Sequence, residues 1–167
     1  ADGVKATLVD GKTFEADLML VAVGRGPSTA GLGYEEAGVT VDRGFVITND
    51  RLHTGVGNIY AVGDIVPGIQ LAHRGFQQGI FVAEDIAGLD PTPIDETGIP
   101  RVTYSHPEVA SVGLDEAAAR AAYGDDAIRT VTYDLGGNGN SQSRRTQGFV
   151  KLVSRVDGPV VGVHLVG

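Results

Sequence analysis

The chain has 167 residues, 42% of them hydrophobic, with 13 Lys and Arg against 21 Asp and Glu, a formal net charge of -8, 25 glycines and no cysteine or tryptophan. Length and apolar content suit one ordinary domain or two small ones and exclude a disordered tail. The missing cysteines exclude a disulfide framework, a thiolate metal site and a catalytic thiol within these residues. Scattered cations argue against a nucleic-acid phosphate partner, and no apolar run approaches the roughly 20 residues of a membrane helix.

Residues 4–9 and 13–23 read as a hairpin around Asp10-Gly11, its second arm ending in the fully apolar LMLVAV. Asp-Gly between alternating runs is a strong hairpin signal. Gly24-Arg25-Gly26-Pro27 breaks the pattern, and residues 28–44 are loop-like with a short turn of helix near Tyr34 to Ala37. Phe45-Val46-Ile47 is a short strand and residues 48–58 are loop again. Asn58 to Val62, NIYAV, is strand-like and runs straight into Gly63-Asp64, with Pro67-Gly68 turning the chain. From Leu71 to about Ala87 the spacing predicts a helix with Leu71, Phe76, Ile80, Ala83 and Ala87 on its inward face and Gly88 as its stop.

A Pro-rich link, DPTPIDETGIP from Asp90 to Pro100, marks a domain boundary. Beyond it come a strand at 101–105, a short apolar run Val109 to Val112, and a helix capped by Asp115 that runs to about Ala122 with Gly124 behind it. Strands follow at Ile128 to Asp134, Gly148 to Val153 and Val160 to Val166, with Asp157-Gly158 turning the last pair. The order β, α, β, β, β implies an antiparallel sheet with a helix on one face. The chain starts inside an alternating run and stops inside an apolar one, so it is expected to be a piece of a longer protein.

The richest stretch for chemistry is NIYAVGDIVPGIQLAH, residues 58–73. A strand delivers Asp64 at its carboxyl end, where open α/β sheets bind ligands. A carboxylate beside a glycine suits the hydroxyls of a nucleotide or ribityl chain, and the helix that opens at Leu71 offers unpaired N–H groups to an electron-rich ring edge. The simpler reading of Gly-Asp alone is a local turn.

LVAVGRGPST, LGYEEAGVTVDRGFVITND, NIYAVGD, LAH and YSHPEVASVGL, in that order, resemble the second half of the dihydrolipoamide dehydrogenase family. The resemblance implies α/β FAD/NAD-binding (Rossmann-like) segments followed by an α+β dimerisation domain with an antiparallel sheet. Residues 1–30 would end the NAD-binding domain, 31–98 form the returning segment of the FAD-binding domain, and 99–167 start the dimerisation domain. It implies FAD and NAD as cofactors. Asp64 would hold the FAD ribityl chain, and Gln70, Leu71, Ala72 and His73 would run along the flavin. Gly24 would lie by the nicotinamide cofactor or simply turn the chain after a strand.

The activity implied is the reoxidation of dihydrolipoamide, with electrons passing through FAD to NAD. The partners implied are a second subunit joined through 99–167 and a lipoyl-bearing acyltransferase of a 2-oxoacid dehydrogenase complex, in a cytoplasmic setting without nucleic acid or membrane. No catalytic residue is expected within the chain: the redox cysteines and the His-Glu pair lie outside it, and the chain alone is expected to be inactive. A soluble pyridine-nucleotide transhydrogenase or another disulfide reductase of the same superfamily is the alternative, and a non-catalytic dimerisation module a second.

His106 and Glu108 in Ser-His-Pro-Glu read as turn or packing residues, and His53 and His164 have no metal partners at ligand spacing. No metal site is expected. Arg25, Arg144 and Arg145 read as surface cations. Two departures stand out: Gln70 replaces a frequent methionine, and Leu135 is followed by the polar stretch GGNGNSQSRR, read as a loop.

Overall fold

The computed structural model describes residues 3–167. Strands β1 (Val4–Thr7) and β2 (Thr13–Ala16) pair antiparallel, with Val4 opposite Ala16 and Thr7 opposite Thr13. The turn between them closes as the Asp10-Gly11 signal requires: the Leu8 amide donates to Lys12 O at 2.8 Å, and the Asp10 carboxylate accepts from the Lys12 amide at 3.0 Å.

The apolar strand expected to continue through residue 23 does not form. Residues 18–23 lie outside any strand, with Leu18 87% and Val23 93% exposed. A strand of that composition belongs in a sheet covered on both faces, and among the described residues none pairs with it.

A second hairpin joins β3 (Val41–Asp42) to β4 (Phe45–Val46) through Arg43 and Gly44, both at positive φ (48° and 86°). This is the two-residue turn whose twist matches paired strands. The Thr29 hydroxyl donates to Gly44 O at 2.6 Å, tying the 27–29 segment to the turn. Val39, Val46, Ala61 and Val66 form a small buried core here, with Tyr34, Val41, Val56 and Ile65 packed around it. NIYAV is not a regular strand either. Tyr60 makes an isolated bridge to His53, and the segment is held by single bonds such as Ala61 N to Leu52 O at 3.0 Å.

Helix α1 spans Ala72–Ile86 and ends where Gly88 was expected to stop it, but its inward face differs from the expected one. Arg74, Gln78 and Phe81 are buried, whereas Phe76 and Ile80 are 73% and 62% exposed. The 63–68 turn offers Arg74 and Gln78 the Gly63 amide and the Gly63 and Pro67 carbonyls. A polar stripe satisfies such groups and an apolar stripe does not.

Beyond the link, β5 (Arg101–Thr103), β6 (Val109–Gly113), β7 (Ile128–Asp134), β8 (Phe149–Arg155) and β9 (Val160–Val166) form one antiparallel sheet in the order β5-β6-β9-β8-β7. Helix α2 (Glu116–Tyr123) covers one face, where Ala119, Ile128 and Val153 are buried with Leu114 and Val161 against them. Asp115 caps α2 by accepting from the Ala118 amide at 2.7 Å, and Gly124 closes it at φ 93°. This is the α+β layer implied by the order of predicted elements. Register places Val131 beside Leu152 and Leu152 beside Val163, so the face away from α2 is apolar as well.

The polar stretch after Leu135 is not an open loop. It folds into a 3-10 turn (Leu135–Gly137) and the six-residue α3 (Gly139–Arg144). Asp134 and Asn138 side chains accept from the Gly136 and Ser141 amides at 2.7 and 2.8 Å, so local Asx caps order a sequence that composition alone marks as loop.

Candidate cofactor-binding site

The site is built on the turn Gly63–Ile65 and the start of α1. Gly63 has φ +78°, which a side chain disfavours, and this conformation lets the chain leave the Tyr60–Val62 segment and present Asp64 outward. The Asp64 carboxylate is exposed and enters none of the ion pairs among the described residues.

Gln70 Nε2 donates to Asp64 O at 3.2 Å, joining the turn to the helix start. Leu71 is the N-cap of α1, extended at φ -135°, with no side-chain cap. The first turn carries no acidic residue. No side chain caps the His73 or Arg74 amide, so the start of α1 keeps N–H groups that a cap would have taken. The His73 ring is turned toward the link, its Nε2 2.8 Å from Pro100 O, so it acts through its place in the chain. Gln70 thus links the Asp64 turn to Leu71, Ala72 and His73 at the start of α1. Gly24 stands apart from it on the exposed 24–26 segment at φ 121°, where an added Cβ would meet nothing within 4 Å.

Two residues that the sequence reading passed over hold this turn from below. Gln78 Oε1 accepts from the Gly63 amide at 2.7 Å. The Arg74 guanidinium, only 3% exposed, pairs with Glu96 at 2.8 Å and donates to Pro67 O at 2.6 Å and to Gly63 O at 3.4 Å. A buried cation needs this degree of pairing. The signal was present as a stripe at 74, 78, 81 and 85, with helical spacing but mostly polar residues. At the far end of the stripe Arg51 bonds Asp85, donating from Nε at 2.6 Å, and lies over the Phe81 ring at 5.3 Å. The Asp85 carboxylate pushes the Arg51 pKa up.

A cleft of about 280 Å³ beside this network is lined by Ile47, Val66, Arg74, Phe81 and Ile94 among others. No buried side-chain polar atom among the described residues lacks a partner. In the second unit the Lys151 ammonium and then Arg120 hold the Glu116 carboxyl below its usual range. Among the described residues no cluster of three His, Cys, Asp or Glu is placed to hold a metal ion, and no helix is long and apolar enough to cross a membrane.

The chain is similar to known proteins in sequence and in fold. Residues 1–79 match the family model described as Pyridine nucleotide-disulphide oxidoreductase, and residues 99–167 match that of its dimerisation domain. The chain belongs to the pyridine nucleotide-disulphide oxidoreductase family. It is 45% identical over 172 aligned positions to a dihydrolipoyl dehydrogenase of Bacillus subtilis, covering 99% of this chain and 36% of that protein. A dihydrolipoyl dehydrogenase of Geobacillus stearothermophilus is 40% identical with the same coverage. The chain therefore spans about a third of the length of these relatives. The crystal structure of LpdA from Mycobacterium tuberculosis superposes with a TM-score of 0.82 at 30% identity, over 100% of this chain and 37% of that one. The HOCl-induced flavoprotein disulfide reductase RclA from Escherichia coli gives 0.80 at 26% identity, over 99% and 38%. Membership in this family accounts for the first unit as an α/β FAD/NAD-binding segment, although residues 18–23 and 58–62 are not paired into a parallel sheet here.

Proposed function

We propose that this chain is part of a flavoprotein disulfide oxidoreductase that reoxidises dihydrolipoamide and passes the electrons through FAD to NAD. The observation that carries the reading is a carboxylate, Asp64, that forms no ion pair among the described residues, on a glycine turn that Gln70 ties to the uncapped start of α1. That donor and acceptor set fits a flavin nucleotide. A carboxylate accepts from ribityl hydroxyls, and free helix N–H groups favour an electron-rich ring edge. FAD, when bound, supplies the two-electron carrier between a disulfide and NAD.

In this reading Asp64 fixes the ribityl chain, while the backbone from Gln70 to His73 lies along the ring and the α1 terminus stabilises negative charge there. Gly24 gives the nicotinamide cofactor close backbone approach. The division proposed is an end of the NAD-binding domain at 1–30, a returning FAD-binding segment at 31–98 and the start of the dimerisation domain at 99–167. The whole protein would be a cytoplasmic homodimer joined through 99–167, serving a lipoyl-bearing acyltransferase of a 2-oxoacid dehydrogenase complex. The chain alone would be inactive, because it holds no cysteine to form the redox disulfide.

The test is Asp64→Ala in the intact flavoprotein carrying this chain, with flavin retention followed by fluorescence. Losing one charge-assisted hydrogen bond of about 1.5 to 3 kcal/mol should weaken FAD binding roughly tenfold to a hundredfold. Unchanged retention would refute the site. Lipoamide reduction by the 167-residue chain with FAD and NADH would refute the expected inactivity.

A further inference from the structure

We infer that Arg74 and Gln78 are positioning residues that hold the Asp64 turn against the start of α1, so that the cofactor surface is preset from beneath. The inference rests on the flavin reading above for its consequence, but its geometry stands on its own. Neither side chain reaches the exposed surface: Arg74 is 3% and Gln78 1% exposed. Both point from the first two turns of α1 into the 63–68 turn, where they bind main-chain groups. Gln78 takes the amide of Gly63, while Arg74 takes the carbonyls of Gly63 and Pro67.

The two backbones meet closely at the same place. A Cβ on Gly75 would sit 3.4 Å from Gly63 Cα, and one on Gly68 would run into the Arg74 guanidinium. Gly63 is thus gripped at its amide and its carbonyl, immediately before Asp64. Apart from the Val66 amide bond to Gly63 O (3.2 Å), the turn relies on these grips, with glycines at positive φ at both ends, and they decide where the Asp64 carboxylate stands relative to the α1 amides.

The second anchor of Arg74 extends the effect. Glu96, its carboxylate partner, lies in the 3-10 turn Glu96–Gly98, and His73 contacts Pro100 O. The two contacts tie the first turn of α1 to either side of the point where the dimerisation match begins at residue 99, Glu96 before it and Pro100 just within it.

Two measurements test the inference. In the 167-residue chain, residue-resolved amide exchange compares wild type, Gln78→Met and Gln78→Glu. The methionine keeps the volume and removes the acceptor, whereas the glutamate keeps an acceptor oxygen. We expect the Gly63 amide to exchange at least tenfold faster in Gln78→Met, with protection restored in Gln78→Glu and α2 amides unchanged in both. Arg74→Met should likewise loosen residues 63–68. In the intact flavoprotein, Gln78→Met should release FAD about tenfold more readily and Gln78→Glu should not. Unchanged exchange at Gly63 in Gln78→Met overturns the inference, as does faster exchange with unaltered flavin retention. An intact wild type that retains no flavin overturns the flavin reading instead, and the exchange result alone then decides whether the grip exists.

Discussion

Replacing Gly162 by alanine tests the packing of the second unit at one atom. Gly162 is buried in the middle of β9, between β6 and β8. An added Cβ would run into the Leu114 carbonyl oxygen, lie 3.0 Å from its carbon and 3.2 Å from His164 Nε2. The obstacle is backbone and cannot swing aside. Leu114 would have to move, and with it the bond from its amide to Val161 O (2.8 Å) and the His164 bond to its carbonyl (3.1 Å). Two hydrogen bonds at about 1 kcal/mol each and an overpacking cost of about 1 to 3 kcal/mol are opposed by up to about 1 kcal/mol from the stiffer unfolded chain. The net is a destabilisation of about 3 kcal/mol, which at urea slopes of roughly 1 to 3 kcal/mol per molar lowers the unfolding midpoint by about 1 to 3 M. Urea unfolding followed by far-ultraviolet circular dichroism measures it. Gly79→Ala is the control. Gly79 is interior to α1 with nothing within 4 Å of a new Cβ, so the same change should stabilise by up to about 1 kcal/mol. A Gly162→Ala midpoint close to wild type, or an equal loss in Gly79→Ala, would refute the reasoning.

Phe81→Ala should cost about 3 to 5 kcal/mol and Phe76→Ala less than about 0.5, because the first ring is 3% and the second 73% exposed; thermal melts of the chain separate the two. Equal losses would mean that the apolar face of α1 is the packed one. Glu116 has a folded pKa below its ordinary value of 4.5, so the unfolded chain takes up its proton first as pH falls. The stability it lends is therefore complete above about 4.5 and disappears as the solution is acidified through the lower folded value. Glu116→Gln should flatten the pH dependence of unfolding in that acid range and leave it unaltered near neutrality.

Much of the second unit was legible because its signals are local. Asp115 three residues before Ala118 is a cap wherever the chain turns into a helix, and Gly124 is its stop. The strands at 128–134 and 160–166 match the expected runs to the residue, since an antiparallel sheet can be assembled from neighbours in sequence. The Asp10-Gly11 hairpin follows the same logic. Residues 18–23 and 58–62 read as strands on composition, but a strand needs a partner to supply its hydrogen bonds. The polar run after Leu135 failed in the other direction, because three-residue Asx geometry ordered what composition assigned to a loop.

The candidate site divides along the same line. Asp64, Gln70, Leu71, Ala72 and His73 were grouped by the family resemblance, on a stretch where a strand-like segment, a glycine, a carboxylate and a helix start follow one another along the chain. Their adjacency was therefore local from the outset. Arg74 and Gln78 were not found. On sequence they are polar residues of an amphipathic helix, whose apolar face should turn inward. Only the tertiary structure set Arg74 and Gln78 of α1 against peptide groups of the 63–68 turn, so that two polar side chains are buried beside Phe81. Sequence by itself determined the elements and the order of the motifs, which rest on short-range chemistry. Which face of α1 is buried, and what holds the Asp64 turn in place, depended on contacts 11 to 22 residues apart along the chain, from Arg74 to Gly63 and to Glu96.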